Sequence, residues 1–151
     1  MRTATSRRAV LGVLLGATLL ACGLGYLQKL PCRAGGWNTA HAQYVYACYT
    51  DIYPLYFTEG LADGQVPYLE HTGVEYPVLM GAAMQAAAWV VSPLDDVYAA
   101  GRAFYDVTAV ALTVAALIAV VATAAVAGRR PERVAMFAIP PPSPSPRSGS
   151  R

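Results

Sequence analysis

The sequence predicts an all-α membrane protein with two transmembrane helices, one shorter helix that is re-entrant, interfacial or spanning, and an extracytoplasmic loop containing short helices. Three observations lead there. Of the 151 residues, 56% are hydrophobic and only 13% charged, a balance far from that of soluble domains. The apolar residues come in long blocks, without the alternation of a strand or the helical period of a half-buried surface helix. Two of those blocks, residues 9–27 and 107–127, carry no charged side chain, and each matches the ~20 residues that cross about 30 Å of hydrocarbon as a helix.

Residues 1–8 are a basic cytoplasmic start, with Arg2, Arg7 and Arg8. Residues 9–27 are the first span. Residues 28–77 form the extracytoplasmic loop, in which acids and aromatics are concentrated. Residues 78–94 are apolar but short, include Gln85 and end at Ser92-Pro93, so a span, a re-entrant segment and an interfacial helix all remain open. Residues 95–106 connect to the second full span, 107–127. A basic juxtamembrane segment, 128–138, carries Arg129, Arg130 and Arg133, and residues 139–151 are a Pro/Ser/Arg tail that cannot bury a core and is expected to be disordered. The apolar run at 134–138 stops abruptly at this tail, as a frameshift or a truncated gene product would make it stop.

Charge orients these pieces. The positive-inside rule draws both arginine clusters to the cytoplasm, which requires an even number of crossings. Residues 78–94 are therefore expected not to cross fully, and residues 28–102 to lie outside the cell membrane with that helix half-buried against the two spans.

Cys32 and Cys48 fall in the segment assigned to the oxidising side, where a disulfide persists. Their bridge would close a loop of about 15 residues, worth ~3 kcal/mol in the chain-entropy model; two free thiols are the alternative. No metal is expected, because Cys32, Cys48, His41 and His71 lack the close-spaced pairing of zinc motifs. Cys22 follows Leu19-Leu-Ala, which resembles a lipoprotein cleavage box. The apolar run continues past it to Leu27, against that reading.

Several function classes leave no trace. There is no phosphate-cradling glycine loop, no nucleotide-binding pattern, no basic stripe for nucleic acid and no Ser/His/Asp arrangement. Gly16, Gly81 and the alanines of 82–88 suit close helix packing.

The loop motifs are Cys48-Tyr-Thr-Asp-Ile-Tyr-Pro-Leu-Tyr56, Gly64-Gln-Val-Pro-Tyr68 and Val74-Glu-Tyr-Pro-Val-Leu79, followed by Phe104-Tyr-Asp-Val107. In this order they resemble the N-terminal part of polytopic membrane proteins related to glycosyltransferase family 87, which are mannosyltransferase-like proteins of the GT-C architecture. The resemblance covers residues 7–138. It implies an extracytoplasmic loop that carries an acidic residue and a polyprenyl phosphate glycoside as donor, so that the partners would be membrane lipid and a lipid-linked sugar. No cofactor is implied. Members of that family continue through many more spans than this chain contains, so the chain by itself is expected to be an inactive N-terminal fragment.

Inverting glycosyl transfer needs a base for the acceptor hydroxyl proton. By match to the motif Asp51 is that residue; read from its neighbours alone, it is a loop acid capping a short helix over residues 52–61. Tyr49, Tyr53 and Tyr56 suit stacking on sugar faces or an aromatic belt, and Tyr68 and Tyr76 have the same two readings. Glu75, before the helix start at Pro77, favours the helix dipole or helps hold a cation or an acceptor hydroxyl beside Asp51. Asp106 opens the last span, with Arg102 one turn earlier as its local partner; it suits either a substrate contact or a helix N-terminus. Glu59, Asp63 and Glu70 read as solvated loop acids. Two functions from different classes therefore stand: a GT-C-like glycosyltransferase fragment, and a small non-catalytic membrane protein whose loop binds a partner.

Overall fold

The computed structural model describes residues 2–35, 37, 42–70 and 74–129. The tail at 139–151, Arg130, Arg133, His41 and His71 lie outside the described residues. Among the described residues the chain is helical and has no strand. The helices are α1 (Arg2–Ala34), α2 (Ala42–Val45), α3 (Ile52–Thr58), α4 (Val78–Val91) and α5 (Val97–Arg129), with a 3-10 turn at Leu61–Asp63.

α1 and α5 each contain 33 residues, ~50 Å of helix against about 30 Å of hydrocarbon. They pack as an antiparallel hairpin. At one end Arg7, Val10 and Leu14 face Ala119, Thr123 and Ala127 across a shared groove, and at the other Tyr26 and Arg33 reach Asp106. Within them, Arg7–Ala34 and Val97–Ala127 are long and apolar enough to cross a membrane, and no residue in the apolar window of either is buried inside the protein. Three threonine hydroxyls in these stretches bond inside their own helix, Thr18 donating to the Leu14 carbonyl (2.8 Å), Thr113 to Ala109 (2.8 Å) and Thr123 to Ala119 (2.7 Å). That pattern suits a surface that meets no water.

Both long helices extend past the apolar blocks. α1 continues beyond residue 27 through Pro31, because a proline in the last turn costs only a hydrogen bond near the frayed end, and the Pro31 carbonyl accepts from Gly35 N–H (3.3 Å). Residues 97–106, expected as connection, are instead the first three turns of α5. Asp96 starts them by accepting from Tyr98 N–H through Oδ1 (2.9 Å).

α4 has 14 residues, ~21 Å of helix. Pro77 is its N-cap residue, one position earlier than the first-turn placement expected, and its carbonyl accepts from Met80 and Gly81 N–H. The helix buries Gly81, Met84, Gln85, Ala87, Ala88 and Val91. Of these, Met84, Ala87, Ala88 and Val91 meet Ala100 and Phe104 of α5 and Leu55, Tyr56 and Leu61 of the loop in one small core. The opposite face of α4 exposes Leu79, Trp89 and Val90.

The glycines serve different ends from the helix contacts expected of them. A Cβ on Gly16 would meet nothing within 4 Å, whereas on Gly81 it would lie 2.3 Å from the Tyr68 ring, and on Gly101 2.9 Å from Phe57 and 3.0 Å from Tyr53. Gly81 and Gly101 thus let aromatic rings of the loop approach the helix backbone closely. Gly81→Leu should cost about 1–3 kcal/mol by overpacking, read as a lowered melting temperature in detergent, while Gly16→Ala leaves the melt unchanged; an unchanged Gly81→Leu melt contradicts the Tyr68 contact.

Candidate functional site

The head of the molecule is built where the end of α1, the loop 43–56 and the start of α5 meet. Cys32 and Cys48 are joined by a disulfide, with Cα atoms 6.0 Å apart, and both are fully buried. Neighbouring contacts tie the same two segments together. Gln28 Nε2 donates to the Ala47 carbonyl (3.1 Å), Lys29 Nζ to the Tyr49 carbonyl (2.7 Å) and Trp37 Nε1 to the Cys48 carbonyl (3.2 Å). Consecutive loop carbonyls are thereby fixed to α1 and to Trp37 just beyond it, and the chain leaves this clamp directly into Asp51 and α3.

Asp106 is the second fixed point. Its partner is Arg33, not Arg102. Arg33 Nε donates to Oδ1 at 2.7 Å and Nη2 donates to Oδ2, while the Tyr26 hydroxyl donates to Oδ1 at 2.9 Å. A two-pronged guanidinium–carboxylate pair satisfies both oxygens in a fixed plane, whereas an Arg placed one turn before an Asp has the weaker charge order on a helix. Asp106 thereby ties α5 to α1 at the level where both helices turn apolar.

An aromatic stack fills the space between these two points. Tyr105 lies 5.9 Å from Tyr26 and 4.8 Å from Trp37, and Trp37 stacks on Tyr53 at 4.8 Å. Tyr53 then meets Phe57 edge-on at 5.2 Å, and Tyr56 packs on Phe104 at 5.1 Å. Tyr53 and Tyr56, expected at a sugar or in a membrane belt, are each 4% exposed, and their ring faces are taken by protein. Burial pushes the Tyr56 hydroxyl above its ordinary range.

Asp51 is exposed and occupies the N-cap position of α3, but makes no side-chain cap bond; Thr50 Oγ1 accepts from Ile52 N–H instead (3.3 Å). The Asp51 carboxylate accepts from the Tyr49 hydroxyl. That bond to the carboxylate holds the Tyr49 phenol above its usual value, with Tyr44 and Tyr76 adding smaller electrostatic contributions in the same direction. α3 ends at Thr58, short of the expected residue 61, because Gly60 turns the chain at φ +72°.

Tyr68, Tyr76 and Glu75 gather at the start of α4. The Tyr68 hydroxyl lies within hydrogen-bond distance of the carbonyls of Tyr76 (2.7 Å) and Pro77 (2.9 Å). Tyr76 packs on the core and Glu75 is exposed. Glu70 accepts from Val66 N–H (3.0 Å) and is exposed, as is Asp63. Glu59 departs from the expected solvated acid. It closes α3 through its N–H to the Leu55 carbonyl (3.1 Å) and is drawn in beside Leu61 to 9% exposure.

A groove of about 790 Å³ opens between α1 and α5 beneath the loop. Its walls are apolar along α5 from Tyr105 to Leu117, and Lys29, Thr50 and Ile52 stand among its lining. Asp51 lies between two of those residues in sequence. Lys29, Arg33 and Trp37 escaped the sequence reading; two cations directly after an apolar span were the available signal for the first two. No group of three metal-ligating side chains comes together among the described residues. Comparison of the chain with protein-family models, curated proteins and solved structures finds no match.

Removing the clamp tests the head. Cys48→Ser should lower stability by about 3 kcal/mol and raise protease sensitivity over residues 43–56 while leaving the helix content of α1 and α5 intact by circular dichroism. Equal protease resistance with and without the bridge contradicts the clamp.

Proposed function

We propose that the chain is an integral membrane protein and the N-terminal part of a GT-C-like glycosyltransferase, with Asp51 as the base that acts on a polyprenyl-phosphate sugar at the extracytoplasmic face. What supports membrane integration is the pair of long apolar helices with unburied windows. The bridge between Cys32 and Cys48 favours an oxidising side for the head, and the basic start of α1 favours the cytoplasm for the opposite end of the hairpin.

One observation carries the catalytic reading: an exposed carboxylate sits between Thr50 and Ile52, which line an apolar groove between the two long helices. In the transfer step the acceptor oxygen forms a bond to the anomeric carbon, the bond from that carbon to the phosphate oxygen breaks, and polyprenyl phosphate departs with the electron pair. Asp51 takes the acceptor's proton. Tyr49, hydrogen-bonded to Oδ1, orients the carboxylate. With Tyr53 and Tyr56 inside the core and Tyr76 packed on it, Tyr49 and Glu75 are the exposed side chains among these that could meet a sugar.

The second reading, a non-catalytic membrane protein, is favoured by the consumption of most loop aromatics in packing. The two separate on one substitution. In membranes holding the complete gene product, Asp51→Asn should reduce transfer about 100-fold or more with little change in expression, while Glu70→Gln stays near full activity. Glu59 is unsuitable as a silent control because it is buried. Retention of activity by Asp51→Asn overturns the assignment and returns the acid to a structural role.

A further inference from the structure

A second groove opens between α1 and α5 at the end of the hairpin opposite the head, with a volume of about 600 Å³. It runs ~10 Å along α1 from Arg7 to Leu14 and ~12 Å along α5 from Ala119 to Ala127. The α5 wall is made largely of small residues, Ala119, Ala124 and Ala127, which let a neighbouring backbone come close. On the α1 wall Val10 and Leu14 remain 56% and 46% exposed.

The chain supplies an apolar segment at the mouth of this groove. α5 ends at Arg129, two residues after Ala127 of the lining, and the sequence continues Arg130-Pro-Glu-Arg-Val-Ala-Met-Phe-Ala138. Pro131 has no amide to continue the ladder of α5. Residues 130–133 reach up to ~14 Å when extended, enough to turn back to Ala127. Val134-Ala-Met-Phe-Ala138 is then an uncharged run that, as helix, is ~8 Å long and fits within the length of the groove. Charge agrees with that direction. Arg7 is the single charged residue in the lining, and among the described residues no acid pairs with it. Glu132 is the only acid after Asp106, and it precedes the apolar run, so a run entering the groove from its mouth leaves Glu132 at the Arg7 end.

We propose that residues 134–138 fold back from the end of α5 into this groove, with Met136 and Phe137 against its apolar walls and Glu132 paired to Arg7. The tether selects this occupant: a segment joined by a short linker meets its groove at an effective concentration on the order of millimolar, which a second copy of the chain does not. In a longer product of the gene, the same docking makes the next helix an antiparallel neighbour of α5. The inference is independent of the role of Asp51, which lies at the other end of the hairpin.

The test is disulfide crosslinking in the 151-residue chain, in phosphatidylcholine vesicles, with Cys22→Ala removing the free thiol. Two pairs are compared under copper phenanthroline: Leu14→Cys with Ala138→Cys, and Val13→Cys with Ala138→Cys. Val13 stands at the same depth as Leu14 but outside the groove, and is 70% exposed. The link is read by mass spectrometry as tryptic peptide 9–29 joined to 134–147. The Leu14 pair should link about tenfold faster than the Val13 pair, as a docked tether requires. Glu132→Arg should shrink that margin severalfold, and adding Arg7→Glu should restore it. Recovery of the Cys32–Cys48 bridge in the same digest verifies that each variant keeps its head. Equal rates for the two pairs overturn the proposal, because a segment outside the groove, or a groove filled by lipid, gives no preference for Leu14. A Leu14 link that joins labelled to unlabelled peptide in a mixture of isotopically distinct chains gives the groove to a second copy and overturns it as well. An unaltered margin in Glu132→Arg overturns the pairing with Arg7.

Discussion

Arg33 and Asp106 sit at the height where two apolar helices cease to be covered by other protein, and their ion pair sets what the rest of the chain can do. Each side chain keeps about a third of its surface exposed, 34% and 29%. The pair therefore belongs between the ~1 kcal/mol of an exposed bridge and the ~3–5 kcal/mol lost when one member of a buried pair is removed. Near a bilayer an unpaired Asp or Arg is costlier still. The result is a fixed register between α1 and α5. With that register set, Tyr26 and Tyr105 face each other, and the turn that carries Cys32 is brought beside the loop.

The clamp follows from the register. The disulfide joins Cys32, one residue before Arg33, to Cys48, and the bonds from Gln28 and Lys29 continue the attachment down the preceding turn. Trp37 then packs between Tyr53 and Tyr105, so that α3 is pressed against the first turns of α5 and Gly101 must stay small. Asp51 emerges at the one point where the loop leaves the clamp and before it enters the core. Its exposure beside the apolar groove is thus a consequence of contacts made by residues on either side of it, none of which need be chemical participants.

Much of the architecture could be read from composition. Uncharged blocks of about twenty residues have few alternatives to long apolar helices, and Pro77 and Ser92-Pro93 marked the bounds of α4 because proline cannot continue a hydrogen-bonded turn. Helix ends were less legible: charge marks where the apolar surface stops, but the helices run on into the head, through Pro31 and back to Val97. The partner of Asp106 was hidden because Arg33 is distant in sequence and only the folded hairpin brings them together. Tyr53 and Tyr56 could not be told from exposed loop aromatics, since an aromatic in a Tyr-Pro-rich loop serves core and ligand equally well. Glu59 was misread for a similar reason: its burial depends on the left-handed turn at Gly60, a backbone event with no charge signature.

The dependence of the head on the hairpin register is tested most directly by reversing the ion pair. Arg33→Asp and Asp106→Arg, each alone, place like charges together and should lower the melting temperature in detergent and the yield of the oxidised Cys32–Cys48 species. The double exchange restores opposite charges and should recover most of both. Single variants that melt and oxidise like the native chain, or a double variant no better than the singles, would contradict the account, because the register would then be set by the apolar helices without the pair.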